Sequence, residues 1–270
     1  MRAETPPSAP RSLSVQELRA DLRRFQRALR VETRDRRVVS TGIAALDDIL
    51  PDRGLQRGAL SEWIASERGS GAATLALQAC RQAQREGPLI IVDSERSVYA
   101  PAVHAAGLQL KEIVLVRPAS RTDFLWAVEQ SLRCSGVGAV LCRIDYLKTQ
   151  EFRRLQLAAE AGTAVGVLIR PAAAHKHAGW ADVRLLITPR PVTCSAAGRS
   201  RSASALAAGP PWHRRLEVRC VYAKGGFTDQ TVELELCDET GAVRLAAGLS
   251  HSTTALLRPE QSAEQSPVRS

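Results

Sequence analysis

Residues 66–73 lie where a phosphate-binding loop would lie, between a strand-like and a helix-like run, but lack the side chains that hold a nucleotide. In such a loop, G-x-x-x-x-G-K-[ST], the lysine reaches the β- and γ-phosphates and the hydroxyl holds Mg²⁺. Here Ser66 replaces the first glycine, Ala72 the lysine and Ala73 the hydroxyl residue. The degenerate loop consists of Ser66, Gly69, Ser70, Gly71, Ala72 and Ala73. Backbone N–H groups at the helix start predict weak, metal-independent anion binding without hydrolysis. A plain turn before a helix is the alternative.

The loop lies in a chain of alternating strand-like and helix-like runs. Strands are predicted at 59–64, 88–92, 113–116, 138–142 and 164–169, and helices at 41–50, 72–86, 97–106, 121–133 and 150–161. Apolar strands separated by helices indicate a parallel sheet covered on both faces. Four further strands, at 183–187, 215–223, 231–237 and 242–246, follow without helices, and 238–241 is a hairpin turn. The predicted fold class is α/β: a mostly parallel sheet flanked by helices, with an antiparallel extension near the C-terminus.

An amphipathic helix is predicted over residues 13–30, separate from this core. Ser14 and Glu17 form a capping box at its start. The residues at helical spacing are Val15, Leu18, Leu22, Phe25 and Leu29 on the apolar face, with Arg19 and Arg23 among those on the opposite face. Such a stripe either covers the protein's own core or docks into a partner's groove. These residues are therefore the candidate partner-binding surface.

Positive charge is concentrated in two segments of the chain. There are 37 Lys and Arg against 28 Asp and Glu, a net charge of +9. Residues 1–39 hold 10 Arg and 5 acids, and residues 189–224 hold 7 basic residues and one acid. Basic patches favour binding of a polyanion or of an acidic partner protein. The alternative is that these residues form an ordinary solvated surface. The candidate DNA contacts are Arg190, Arg199, Arg201, Arg214 and Arg215. Trp180, Trp212 and His213 lie nearby and could stack on bases, although packing is the more usual role of a tryptophan.

Composition divides the chain into three parts. Residues 1–37 are a tail and the amphipathic helix, residues 38–249 are the core, and residues 250–270 are a polar tail predicted to be disordered. Within the core, residues 193–211 are rich in Ser, Ala and Gly and are predicted to be a mobile loop.

Other kinds of site find little support in the sequence. The six cysteines form no C-x-x-C pair, which indicates reduced, mostly buried thiols in a cytoplasmic protein. His175 and His177 are too few for a metal site without a third ligand. No signal peptide or membrane span is predicted. We expect no metal and no cofactor.

The sequence resembles the RecA recombinase core over roughly residues 38–248. The resemblance rests on 40–47, 54–58, the degenerate loop, Asp93-Ser94-Glu95 and 181–185. It is closer to the ImuA family, the RecA-like accessory proteins of inducible translesion mutagenesis. The segments that point there are 153–162, 169–174 and 238–245.

The resemblance implies a RecA-like fold and a role in the DNA-damage (SOS) response. It implies partners as well: an inactive Y-family-polymerase-like protein, an alternative C-family replicative-type DNA polymerase and RecA itself. In RecA the glutamate of D-x-E activates the attacking water, so Glu95 is a vestigial carboxylate, or it is simply favourable near a helix that starts at Ser97. Arg143 stands where an aspartate would order Mg²⁺, and Asp145 is the other vestigial carboxylate. The segments that would contact DNA are short.

The expected function is therefore that of a non-catalytic adaptor, with the nucleotide site degenerate and partner contacts dominant. Two alternatives stay open. One is a divergent ATPase that uses Glu95 and Asp145. The other is a non-specific single-stranded-DNA-binding module.

Overall fold

The computed structural model describes residues 38–191, 213–226, 229–237 and 242–246. The predicted helix at 13–30, the loop at 193–211, the turn at 238–241 and the tail at 250–270 lie outside these residues. So do Arg199, Arg201 and Trp212.

A mixed sheet forms the centre of the described residues. Its strands are β3 (Leu60–Ala65), β4 (Leu89–Val92), β5 (Ile113–Val116), β6 (Ala139–Arg143), β7 (Val165–Pro171), β8 (Val183–Arg190), β9 (His213–Ala223), β10 (Gln230–Cys237) and β11 (Val243–Leu245). Their order is β11-β10-β9-β8-β3-β7-β6-β4-β5. The six strands β8, β3, β7, β6, β4 and β5 are parallel to their neighbours. Strand β9 pairs antiparallel with β8, and β10 and β11 continue the sheet with antiparallel pairs. The predicted fold class is confirmed.

Helices cover both faces of this sheet. They are α1 (Ala44–Asp48), α2 (Ala72–Ala83), α3 (Ala100–Ala105), α4 (Arg121–Arg133) and α5 (Thr149–Ala161), with short 3₁₀ segments at Gln84–Glu86, Leu110–Glu112 and Ala172–Lys176. Strands β1 (Val38–Val39) and β2 (Leu55–Gln56) form a separate antiparallel ribbon that the sequence did not predict. Alternate residues of β3 face opposite cores: Trp63 packs in the core that contains α1 and α2, and Leu60 packs in the core that contains α4 and α5.

The antiparallel extension is apolar on one face and charged on the other. Leu216 and Val218 of β9 are buried in the α2-side core. Between them, Glu217 faces the opposite side and binds Arg190 of β8, where Nε lies 3.1 Å from Oε2. On the same side, Arg215 of β9 donates to Glu235 of β10 over 3.3 Å. This alternation is what a sheet with one solvated face requires.

Two predicted helices begin later than expected because carboxylates capture the preceding N–H groups. The helix predicted from residue 41 begins at Ala44, and the Thr41 N–H donates to Asp47 over 2.8 Å. The helix predicted from Ser97 begins at Ala100, and Asp93 accepts the N–H groups of Ser97 and Val98, each over 3.0 Å. A side chain that bonds the local backbone competes with a helix start.

Candidate nucleotide-binding site

The loop between β3 and α2 keeps a tight, glycine-dependent shape. Ser66 N–H donates to the Ile187 carbonyl of β8 over 3.0 Å, which fixes the start of the loop. Gly71, the N-cap of α2, has φ of 87°, a value that favours glycine. A Cβ at Gly71 would lie 2.6 Å from Leu216 Cδ1 of β9. The loop is therefore packed under the antiparallel extension, which argues against an unconstrained turn.

The two replaced positions are the first two residues of α2. Ala72 is buried and Ala73 is exposed, and both line a cavity of about 480 Å³ above the loop. Methyl groups supply neither the charge nor the hydroxyl that a Mg²⁺–nucleotide complex requires. Nor do the described residues contain any group of three His, Cys, Asp or Glu side chains placed to hold a metal ion.

The two carboxylates predicted from the sequence reach the same cavity. Glu95 and Asp145 both line it, together with the loop. Asp93 positions the segment that carries Glu95, because its buried carboxylate accepts the Ser97 and Val98 N–H groups. The helix expected to start at Ser97 begins at Ala100, five residues after Glu95, so Glu95 precedes the first turn of that helix. Its interpretation as a favourable charge near a helix start stays a prediction.

Arginines, rather than a lysine, bring positive charge to this cavity. Arg68, Arg143, Arg170 and Arg214 line it. Arg214 of β9 donates from Nη1 to the Gly69 carbonyl over 2.8 Å, so it holds the loop directly. The sequence had grouped Arg214 with the candidate DNA contacts and gave no sign that β9 returns to the loop.

Two other candidate DNA contacts lie in ion pairs on the far face of the sheet. Arg190 binds Glu217, and this hydrogen bond raises the pKa of Arg190. Arg215 binds Glu235. Arg190 and Arg215 therefore lie on one face of the sheet, and Arg214 lies on the other face, where it reaches the loop.

A buried ion-pair triad beside the cavity was missed from the sequence. Arg170 Nη1 lies 2.8 Å from Glu62 Oε1, and Arg184 Nε lies 2.5 Å from Glu62 Oε2. Arg184 Nη2 also donates to the Ala174 carbonyl over 2.6 Å. The available signal was a charged residue, Glu62, Arg170 or Arg184, among mainly apolar residues in each of three strands, β3, β7 and β8. Burial lowers the pKa of Arg170, an effect that Glu62 opposes.

The remaining predicted residues lie away from the cavity lining. His175 and His177 are exposed at the 3₁₀ segment after β7. Trp180 is partly exposed, with the Arg153 guanidinium 4.9 Å from its ring centroid. Cys80 and Cys142 are buried thiols, and burial raises the pKa of Cys142 to about 12.

Part of the chain is similar to RecA proteins. The profile of the RecA N-terminal domain matches residues 26–147. Protein RecA of Chlorobium chlorochromatii is 35% identical over 104 residues, which are 38% of this chain and 29% of that protein. Protein RecA of Chlorobaculum tepidum is 33% identical over 105 residues, 38% of this chain and 30% of that protein. Protein RecA of Desulforapulum autotrophicum is 30% identical over 105 residues, which are 38% of this chain and 30% of that protein.

The fold is RecA-like. The predicted resemblance to RecA is confirmed at this level, and the chain spans less than a third of the length of these RecA proteins. The RecA-like segment contains the loop, Glu95 and Asp145. Arg170, Arg184 and Arg214 lie beyond it, so part of the arginine lining of the cavity comes from outside the matched region.

No helix within the described ranges is both long and apolar enough to cross a membrane.

Proposed function

We propose that this protein is a non-catalytic accessory protein with a RecA-like core, which acts through protein partners in DNA-damage-induced translesion DNA synthesis. One observation is the main support for the proposed absence of catalysis. Ala72 and Ala73 open α2 at the floor of the cavity, where a working loop presents its lysine and hydroxyl. Each lost hydrogen bond to a charged phosphate oxygen is worth about 1.5–3 kcal/mol.

The lining at the end of β6 supports the same proposal. Arg143, the last residue of β6, lines the cavity near the position at which RecA-type enzymes place an aspartate for Mg²⁺. A cation there repels the divalent metal that hydrolysis requires. Asp145 lines the cavity too, but no hydroxyl at position 73 completes its metal site.

The proposed role in the DNA-damage response rests on the resemblance to RecA and to the ImuA family. The similarity to the RecA N-terminal domain supports a role in DNA repair or recombination. The ImuA-like segments favour translesion synthesis within that setting. The proposed partners are the Y-family-polymerase-like protein, the alternative C-family polymerase and RecA.

We expect the purified full chain to hydrolyse Mg-ATP no faster than buffer, with or without single-stranded DNA. The physical reason is the absence of the lysine and the metal-binding hydroxyl. Phosphate release measured beside an active RecA protein checks this, and Glu95→Gln should leave the signal at background.

A divergent ATPase is the second candidate, because the structure gathers Glu95 and Asp145 around one cavity with the loop. Appreciable turnover that falls at least a hundredfold in Glu95→Gln, as expected for loss of a general base, would establish this candidate and refute the non-catalytic proposal. A matched variant, Glu86→Gln, removes an exposed carboxylate in the 3₁₀ segment that follows α2, outside the cavity lining, and should leave any turnover unchanged.

The predicted helix at 13–30 is our candidate for partner capture. Leu22→Asp with Phe25→Asp places two charges on its apolar stripe, and burying either charge in a groove is costly. We expect capture of the co-expressed Y-family-polymerase-like protein by the tagged full chain to fall at least tenfold.

The matched control is Gln16→Asp with Ala20→Asp, which adds the same two negative charges. These positions lie about 120° and 160° around a helix from Leu22, on its polar side. Capture should persist in this control. Equal capture by both double variants, with the circular dichroism spectrum of the core unchanged, would remove the helix from the interface.

A further inference from the structure

Two tryptophans and a leucine are exposed at the surface that α4 and α5 form. Trp126 of α4 is 62% exposed, Leu157 of α5 is 44% exposed, and Trp180, which precedes β8, is 42% exposed. The third described tryptophan, Trp63, is fully buried. Tryptophan is highly buried on average, and it is enriched at protein interfaces. The three exposed side chains therefore mark a candidate interaction surface.

Arginines join the exposed side chain of α4 to those of α5. Trp126 and Arg133 lie along one side of α4, because they are seven residues, or about two turns, apart. Arg133 donates to Oε1 of Glu129 over 3.0 Å, and Arg154 of α5 donates to Oε2 of the same carboxylate. The two guanidinium groups therefore meet at the seam between the helices.

The same surface continues across α5 to the segment before β8. Leu157 follows Arg154 by three residues and Arg153 by four, so it lies beside both on the helix surface. The Arg153 guanidinium lies 4.9 Å from the ring centroid of Trp180. Together these residues form the α4–α5 face, which consists of Trp126, Arg133, Arg153, Arg154, Leu157 and Trp180.

Positive charge lies outward on the α4–α5 face, and negative charge lies beneath it. The Arg133 and Arg154 side chains are 47% and 63% exposed, whereas that of their partner Glu129 is 11% exposed. Near the start of the two helices, Arg121 is likewise more exposed than its partner Glu151. A guanidinium has five N–H donors, so one carboxylate partner leaves it able to bind a second. The accessible layer therefore favours carboxylates.

Composition favours a protein segment over a nucleic acid as the partner of this face. Residues 121–133 and 149–161 contain four arginines and four acidic residues, whereas binding of a polyanion depends on an excess of cations. These helices contain no lysine, and protein interfaces are enriched in tryptophan and arginine and depleted in lysine. The chain's own N-terminal segment is a poor match, because residues 1–39 hold 10 Arg and 5 acids and like charges across an interface repel.

We propose that the α4–α5 face binds a segment of another protein in which Asp or Glu residues flank large apolar side chains. The apolar side chains of the segment pack against Trp126, Leu157 and Trp180. Its carboxylates bind Arg133 and Arg154. The inference deepens the proposed adaptor role, on which its biological meaning rests, and it adds a surface separate from the predicted helix at 13–30.

The test is fluorescence anisotropy of the full chain with three labelled helical peptides of equal length. The first carries Leu and Phe on one face, flanked by Glu. The second has Lys in place of every Glu, and the third has Ser in place of every Leu and Phe. We expect saturable binding of the first peptide, about tenfold or more tighter than that of the other two, because both the charges and the apolar anchors contribute.

Three variants connect the binding to the named side chains. Trp126→Ala and Leu157→Ser change exposed positions, so thermal unfolding should stay close to that of the parent. Each should weaken binding of the acidic peptide about tenfold or more, the effect of truncating a central contact residue. Arg133→Gln leaves Glu129 paired with Arg154 and should weaken binding about two- to fivefold.

The matched control is Leu110→Ser, the same substitution at a leucine that is 46% exposed in the 3₁₀ segment before β5, outside the α4–α5 face. It should bind the acidic peptide like the parent. The proposal is overturned if the acidic and basic peptides bind equally, or if Leu157→Ser binds like Leu110→Ser.

Two other occupants of the face would also overturn the proposal. Tighter binding of a single-stranded oligothymidine than of the acidic peptide, weakened by Trp126→Ala, would assign the face to nucleic acid. A dimer in sedimentation equilibrium that dissociates in Trp126→Ala would assign it to a second copy of the chain. The peptides contain none of the proposed partners, so this result is separate from the tests of the proposed function: ATP turnover or failed polymerase capture would refute the adaptor role and leave the peptide result unchanged.

Discussion

Glu62→Gln is expected to lower the free energy of unfolding by about 3–5 kcal/mol, the cost of removing one partner from a buried ion pair. Glu62 is 1% exposed and is the carboxylate that Arg170 and Arg184 share. Glutamine keeps nearly the same shape but removes the negative charge. Two buried guanidinium groups then face each other without a counter-ion. Urea-induced unfolding followed by circular dichroism measures the loss.

The matched control is Glu217→Gln, which breaks a pair in the same sheet that reaches solvent. Its partner Arg190 has 48% of its side chain exposed, so water screens the pair and the expected loss is well below that of Glu62→Gln. If the two substitutions cost the same, the triad is not the buried charge cluster that its geometry indicates.

The main elements of the fold were predictable because their signals are local. Strand β5 and helix α4 have the predicted bounds, 113–116 and 121–133. For α4 the reason is plain: Ser120 accepts the Asp123 N–H over 3.1 Å, an N-cap that is visible in the sequence. Predictions failed where a side chain captured the backbone, as Asp47 and Asp93 do, because propensity alone does not show which way a carboxylate turns.

The candidate site was predictable only in the part that is contiguous in sequence or resembles RecA. The loop, Glu95 and Asp145 were found in this way, and the structure brings them to one cavity. The arginine contacts were not found, because they join distant segments. Arg214 meets Gly69 from 145 positions away, and Arg170 meets Glu62 from 108. Such contacts depend on the order of the strands in the sheet, and the pattern of apolar and polar residues does not predict that order.

Strand order also explains what holds the shape of this loop, in which Ala72 and Ala73 replace the lysine and the hydroxyl residue. Leu216 of β9 packs against Gly71, and Arg214 of the same strand holds the Gly69 carbonyl. The loop is therefore stabilised by the antiparallel extension of the protein itself. Both contacts come from the protein and involve no nucleotide, which is compatible with the proposed non-catalytic role.

Gly71→Ala is expected to destabilise the protein by about 2–5 kcal/mol. Two costs contribute. A left-handed backbone conformation costs a residue with a Cβ about 1–2 kcal/mol, and an added methyl group in a packed core costs about 1–3 kcal/mol. Both apply here, because φ is 87° and the new Cβ would lie 2.6 Å from Leu216 Cδ1. Urea-induced unfolding of the full chain measures the sum.

Gly69→Ala separates the two costs. Its φ is 80°, nearly that of Gly71, but a Cβ at this position meets no atom within 4 Å. Backbone strain alone should then cost about 1–2 kcal/mol, and the difference between the two variants measures how tightly β9 packs on the loop. Equal losses at both positions would mean that Leu216 moves away freely. The loop would then lack the tight packing against β9 that the position of Leu216 indicates.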